Sequence, residues 1–311
     1  MSNNTEYLSA SNARKSKSKG SLGSRIFDVF NVALMAAISY ACLAPVLHVV
    51  FASISDPVRL LSHQGILLKP LGFSIEGYKI IFDNDTILMG YLNTIFYVVT
   101  GVLLSTTLTV MGAYALSRKN LFWGNAIMFF VTFTMFFNGG LIPFYIVVTA
   151  LGMYDSRLAL IVPSAVSAFN LIIMRTALRE IPDSLEESAL MDGAGHLTIM
   201  WRIVLPLAKA TIAVIVLFYA VSMWNSWFPA SIFIRDRAKY PLQLILKEIF
   251  VQNDASHVSH SSSDTTGINT DVFKMLVKYC TIVAATLPVL FFYPFFQKYF
   301  VKGVMIGSIK G

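Results

Sequence analysis

The sequence predicts an all-α integral membrane protein, with six transmembrane helices and a polar helix-turn-helix inserted between the fourth and the fifth. Three observations carry this. The 311 residues are 56% hydrophobic and 13% charged, with a mean hydropathy of +0.65, too apolar for a soluble domain. Six apolar stretches reach the roughly 20 residues needed to cross about 30 Å of hydrocarbon. The charges fall between these stretches, so the net charge of +7 speaks to membrane topology. A nucleic-acid surface would need basic residues interleaved with aromatics on one folded face, a pattern this chain does not show.

Residues 1–25 are rich in Ser and Asn and carry Arg14, Lys15, Lys17, Lys19 and Arg25 with no apolar face, which reads as a disordered basic tail. The apolar run 26–54 is too long for the core of a cleaved signal and is expected as the first span. The remaining spans are expected at 91–116, 122–150, 158–178, 207–232 and 273–300, with a short tail at 301–311. Within 122–150, Asn138-Gly139-Gly140 and Pro143 interrupt the helix, so this is expected as one broken span. The stretches 55–90 and 233–272 are long loops, either plain surface or a docking face for an outer partner. Cys42 and Cys280 lie in apolar runs and read as packing residues.

Orientation follows from the basic residues. With the N-terminus inside, 14 of the 24 Lys and Arg fall on the cytoplasmic side, and the short loops follow the positive-inside rule. Both termini and the polar insert 181–206 are then cytoplasmic. In that insert Pro182 suits a first helical turn, and Ser184 with Glu187 fits a capping box. Gly193-Ala194-Gly195 should end the first helix and turn into a second from about Leu197 to Pro206. From the residues alone the insert is either a connecting loop or a docking element for another protein.

Glu187-Ser188-Ala189, Gly193 four residues on, and Ile203-Val204-Leu205-Pro206 after nine more resemble the EAA loop of the permease subunits of bacterial ABC importers. Ser188 for the usual Ala is the only departure in the core of that pattern. Phe137-Asn138-Gly139-Gly140-Leu141-Ile142-Pro143, Phe169-Asn170-Leu171, Trp224-Asn225-Ser226-Trp227, Tyr240-Pro241-Leu242-Gln243 and the terminal Lys302-Gly303-Val304-Met305-Ile306-Gly307 are similar to the carbohydrate permeases akin to the maltose-transporter permeases, and within them to the LplC-like group. The resemblance implies import of oligosaccharides, acidic ones included, across a bacterial cytoplasmic membrane. It also implies the partners: a homologous second permease, two ABC ATPase subunits and an extracytoplasmic solute-binding protein. Glu187 would pair with a basic residue of the ATPase and Gly193 would make the turn. Ser188, Ala189, Asp192 and Ala194 would sit in the ATPase cleft, with Ile203, Leu205 and Pro206 completing the coupling pattern.

This chain has no G-x-x-x-x-G-K-[ST] phosphate loop, so ATP and Mg belong to the partner ATPases and no cofactor is expected here. Neither a catalytic constellation nor a metal set is expected. His257 and His260 lack companion ligands, and Ser261, Ser262 and Ser263 lack the strand-turn-helix frame of a nucleophile. For the solute path the candidates are Asn170, Trp224, Asn225 and Trp227. A membrane-embedded amide beside aromatic faces suits a sugar, and bonding to a neighbouring helix suits it as well. The alternative function is a self-contained secondary carrier or channel. Against it stands the lack of acidic residues within the spans, Asp28 at the membrane edge excepted.

Overall fold

The computed structural model describes residues 22–118, 121–259, 275–292 and 294. Residues 1–21 of the basic tail, Ser261 to Ser263, His260 and the Lys302 to Gly307 motif lie outside the described residues, while Arg25 falls within the first helix. Among the described residues every regular element is a helix. α1 spans Leu22–Ser53, α2 Pro57–Ser62, α3 Glu76–Phe82, α4 Asp85–Ser117, α5 Gly124–Phe136, α6 Leu141–Ala150, α7 Leu158–Ile161 and α8 Ala168–Arg179. They are followed by α9 Asp183–Met191, α10 His196–Ile199, a π-helical segment Met200–Val204, α11 Leu205–Leu207, α12 Lys209–Trp224, α13 Trp227–Phe233, α14 Leu242–Ser259 and α15 Met275–Phe292.

α4 is the hub, and its sequence explains why. Gly90, Thr94, Gly101, Ser105, Thr109, Ala113 and Ser117 fall four or seven residues apart and are buried, forming a stripe of small side chains, interrupted by Tyr97, along which other helices approach closely. α8, α12 and α14 pack onto it. At Gly101 a Cβ would lie 2.9 Å from Met223 Cε of α12, so a side chain there would force Met223 to shift. Asn84 caps the N-terminus by accepting from Thr86 N–H at 3.0 Å, and Asp85 sits at the positive end of the dipole.

The expected spans are met in three different ways. α1, α4 and α15 are continuous helices long and apolar enough to cross a membrane. In the third expected span, α5 and α6 meet at a 117° bend at Phe137 to Gly140, where Gly140 takes φ +84°. The fourth and fifth depart from single helices. Residues 162–167, with Pro163, separate α7 from α8, and Asn225 and Ser226 separate α12 from α13. Non-helical backbone at such depth requires protein or water beside it.

The long loops are more ordered than expected. α2 and α3 bury Leu60 and Ile81, and Leu67 between them joins the same core, together with Leu242, Ile245 and Leu246 of α14 and Leu276, Cys280 and Ala285 of α15. α14 itself occupies part of the stretch expected as a loop. Cys280 is a packing residue as expected, its thiol donating to Ser53 O at 3.1 Å, whereas Cys42 is exposed on α1. α1 stands almost free of the bundle, with 6% of its apolar window buried.

Candidate functional site

Two sites emerge, a hairpin at the C-terminal end of α4 and a cavity between α8 and α12. The hairpin is α9, a turn at Gly193, and α10 continued through the π-helical segment into α11. α9 begins at Asp183. Pro182 lies just outside it at the N-cap, and Ser184 lies inside the first turn, so no capping box forms. Asp183 and Glu186 instead bring negative charge to the N-terminal dipole. The C-terminus closes as a Schellman motif: Gly193 N–H donates to Leu190 O at 3.0 Å and Ala194 N–H to Ala189 O at 2.9 Å. Gly193 takes φ +80° with open space around it, so backbone conformation and not crowding demands glycine.

The hairpin has two faces. Ala189 is buried in the core formed by α4, α8 and α12, and Ala194, Ile203 and Leu205 pack against the same core. These small and branched side chains seat the hairpin on its own bundle. Glu187, Ser188, Asp192, Gly193 and Pro206 are exposed. The sequence reading missed the apolar companions on that outer face, Leu190, Met191, Leu197 and Trp201, of which Met191 is 88% exposed. The signal was present, since four large apolar side chains in a polar insert need a reason to face out.

Polar anchors hold the inner face. Arg118, just past α4, pairs with Glu186 of α9 and lies over the Tyr114 ring, 4.4 Å from its centroid. Burial pulls the guanidinium pKa down, opposed by Tyr114 and the Asp183 carboxylate. Tyr114 OH donates to His196 O at 3.3 Å, and Arg175 Nε donates to Leu116 O at 2.8 Å, tying α10 and α8 to α4. The π-helical segment then absorbs Pro206, which has no N–H to offer. Leu205 N–H reaches back five residues to Met200 O, and the chain turns 84° at Ala208 into α12.

The cavity, about 460 Å³, opens where the fourth expected span is broken. Ser164 and Ser167 line it from the break, Phe169 and Asn170 from α8, and Phe218, Tyr219 and Ser222 from α12. Tyr219 fixes its wall: the phenol oxygen accepts from Ser167 N–H at 3.0 Å and shares a 2.7 Å hydrogen bond with Thr109 of α4. Two aromatic rings, Phe169 and Phe218, with centroids 6.2 Å apart, flank hydroxyls and one buried amide. Such a lining offers apolar faces and neutral hydrogen bonds, which suits a polyhydroxylated solute.

The four expected path residues separate. Asn170 lines this cavity. Trp224 does not line it. Its indole is buried and its N–H donates to Ala285 O at 3.2 Å, because it packs α12 against α15. Asn225 is exposed and its amide donates to Val221 O at 2.9 Å, closing the end of α12. Trp227 lies under Lys247 of α14, with Nζ 4.1 Å from the ring centroid. Tyr219, Phe169 and Phe218 were not among the expected path residues, and only the tertiary approach of α8 and α12 distinguishes them.

A family model, that of the binding-protein-dependent transport system inner membrane component, matches residues 108–306. The chain belongs to this family. The permease is 41% identical over 292 residues to the polygalacturonan/rhamnogalacturonan transport system permease protein YtcP of Bacillus subtilis (strain 168), covering 92% of this chain and 99% of that one. It is 37% identical over 287 residues to the protein LplC of the same organism, covering 92% and 96%. Among solved structures it is similar to a chain from the crystal structure of a bacterial ABC transporter involved in the import of the acidic polysaccharide alginate. The TM-score is 0.82 at 34% identity, covering 90% of this chain and 99% of that chain. The permease is therefore a membrane-embedded component of an ABC importer, and the self-contained carrier falls away.

Proposed function

We propose that the permease forms half of a translocation path for an acidic oligosaccharide and is driven through its α9–α11 hairpin by two partner ATPase subunits. A homologous second permease completes the path, and an extracytoplasmic binding protein delivers the solute. In this reading the hairpin and both termini face the bacterial cytoplasm, ATP and Mg stay with the ATPases, and no cofactor is bound by this chain. The observation that carries it is the two-faced hairpin. Its inner face is bonded to α4, while Glu187, Asp192, Met191 and Leu197 point outward around a glycine turn. Such a mixed face is suited to a cleft with basic and apolar walls.

The acidic class is supported by two relatives whose names refer to galacturonan and alginate transport. The cavity of this subunit is neutral, so it reads hydroxyls and ring faces, and carboxylates are recognised elsewhere in the complex. The test is uptake of labelled oligogalacturonides and neutral oligosaccharides of the same length by cells carrying the complete transporter. Asn170→Ala should raise the apparent KM for the transported class with the complex still assembled; an unchanged KM removes Asn170 and its cavity from the path.

A further inference from the structure

Resting on the reading of the hairpin as the ATPase contact, we propose that Arg118 is a positioning residue that locks α9 to the end of α4, so that movement of the hairpin is delivered to the second span and not only to the spans it joins in sequence. The covalent chain links the hairpin to α8 through 180–182 and to α12 through Ala208. No covalent link runs to α4, yet α4 is the helix on which α8, α12 and α14 all pack. Whatever moves the hairpin must move α4 with it, or the packing along the small-residue stripe has to slide.

The geometry supplies that link at both helices of the hairpin. Arg118 reaches Glu186 of α9, and Tyr114, directly beneath the guanidinium, reaches His196 at the start of α10. The guanidinium is braced from its own side by Ser117 Oγ at 2.9 and 3.2 Å and by Tyr114 O at 3.3 Å, which fixes its direction before Glu186 is engaged. The pair is not an ordinary surface bridge. The Arg118 and Glu186 side chains are 24% and 14% exposed, and removing Arg118 takes the guanidinium away from a largely buried Glu186 carboxylate. Glu186 and Glu187 are adjacent yet divide the work, one turned to the bundle and the other to the surface.

The experiment uses the complete transporter, with both permeases and both ATPases, reconstituted in proteoliposomes with binding protein, measuring solute transported per ATP hydrolysed. Arg118→Gln should lower that ratio about fivefold, the scale expected for a residue that carries coupling, while the ATPase subunits still co-purify. The exchanged pair, Arg118→Glu with Glu186→Arg, should recover at least about half of the loss. An unchanged ratio in Arg118→Gln overturns the proposal. So does a double exchange that recovers nothing or fails to accumulate, since Arg118 would then serve folding alone. Loss of ATPase co-purification in Glu186→Gln but not in Arg118→Gln also overturns it, by assigning Glu186 to the docking face. Failure of the docking reading is seen separately, as Glu187 and Gly193 variants that bind the ATPases and transport normally.

Discussion

The two ends of α4 each hold a polar segment, and the two are bonded in opposite ways. Near its N-terminus the segment 234–241 crosses α4 and is satisfied within the chain. Asn93 donates to Ala238 O at 2.7 Å and Tyr240 O at 3.1 Å while its carbonyl accepts from Arg157, and Tyr97 OH donates to Lys239 O at 2.8 Å. Asp155 accepts from the backbone N–H of Arg235 and Asp236, and Lys239 donates to Asp155 O at 2.8 Å. At the other end, roughly 37 Å along the helix by its rise, the hairpin is bonded on one face only. A segment held by this many hydrogen bonds within the chain is a strap. One that keeps a charged and apolar face unanswered is built for a partner, which supports the docking role proposed for α9–α11.

That contrast breaks most readily at Gly193. Gly193→Val forces a β-branched residue to φ +80°, where an L-residue is disfavoured by at least about 1–2 kcal/mol. Solute uptake should fall to background with the permease still in the membrane; normal uptake would sink the hairpin's role. At the strap the loss should appear in stability. Asn93→Ala removes the side-chain donor to two carbonyls and one acceptor of Arg157, and should lower unfolding stability in detergent by about 1–3 kcal/mol. A melting temperature equal to that of the parent would show that water replaces the amide.

Glu187→Ala should do the reverse of Asn93→Ala. The side chain is exposed, so stability should change by no more than about 0.5 kcal/mol. The ATPase subunits should bind more weakly, as read by co-purification over a salt series. The smallest effect is expected from pH. Backbone N–H groups of Asp236 and then Arg235, with Lys239 beside them, hold the Asp155 carboxyl below its ordinary value. A depressed folded pKa contributes stability above the unfolded value of about 3.9 and loses it as pH falls through the folded value. Hydrogen exchange at the Arg235 and Asp236 amides should therefore accelerate, relative to neighbouring amides, only below about pH 4.

Much of the hairpin was legible before any coordinates, because its signals are local: a proline entry, carboxylates in the first turn and a glycine pair at the exit. The division of its faces was not. Ala189 and Ser188 are adjacent and similar in size, and only the tertiary position of α4 sends one inward. The spans were legible as apolar runs, but hydropathy does not report that 162–167 and Asn225 interrupt helices, since a broken apolar segment is as apolar as a whole one. For the same reason Trp224 and Trp227 read alike in sequence, although one is packed against α15 and the other lies under Lys247. The short helices within 55–90 carry too few apolar residues to show a period, whereas in α14 Leu242, Ile245, Leu246 and Ile249 recur at helical spacing and were a signal the loop reading passed over.

The π-helical segment at Met200–Val204 sets the angular phase of the hairpin against α12. One extra residue is wound into that turn, and a residue accounts for about 100° of helical rotation. Length at this place is therefore indexed like the tooth of a gear. Deleting a single residue would rewind the turn as an α-helix, leave the hairpin's composition intact and swing Met191 and Glu187 away from the direction in which they now point.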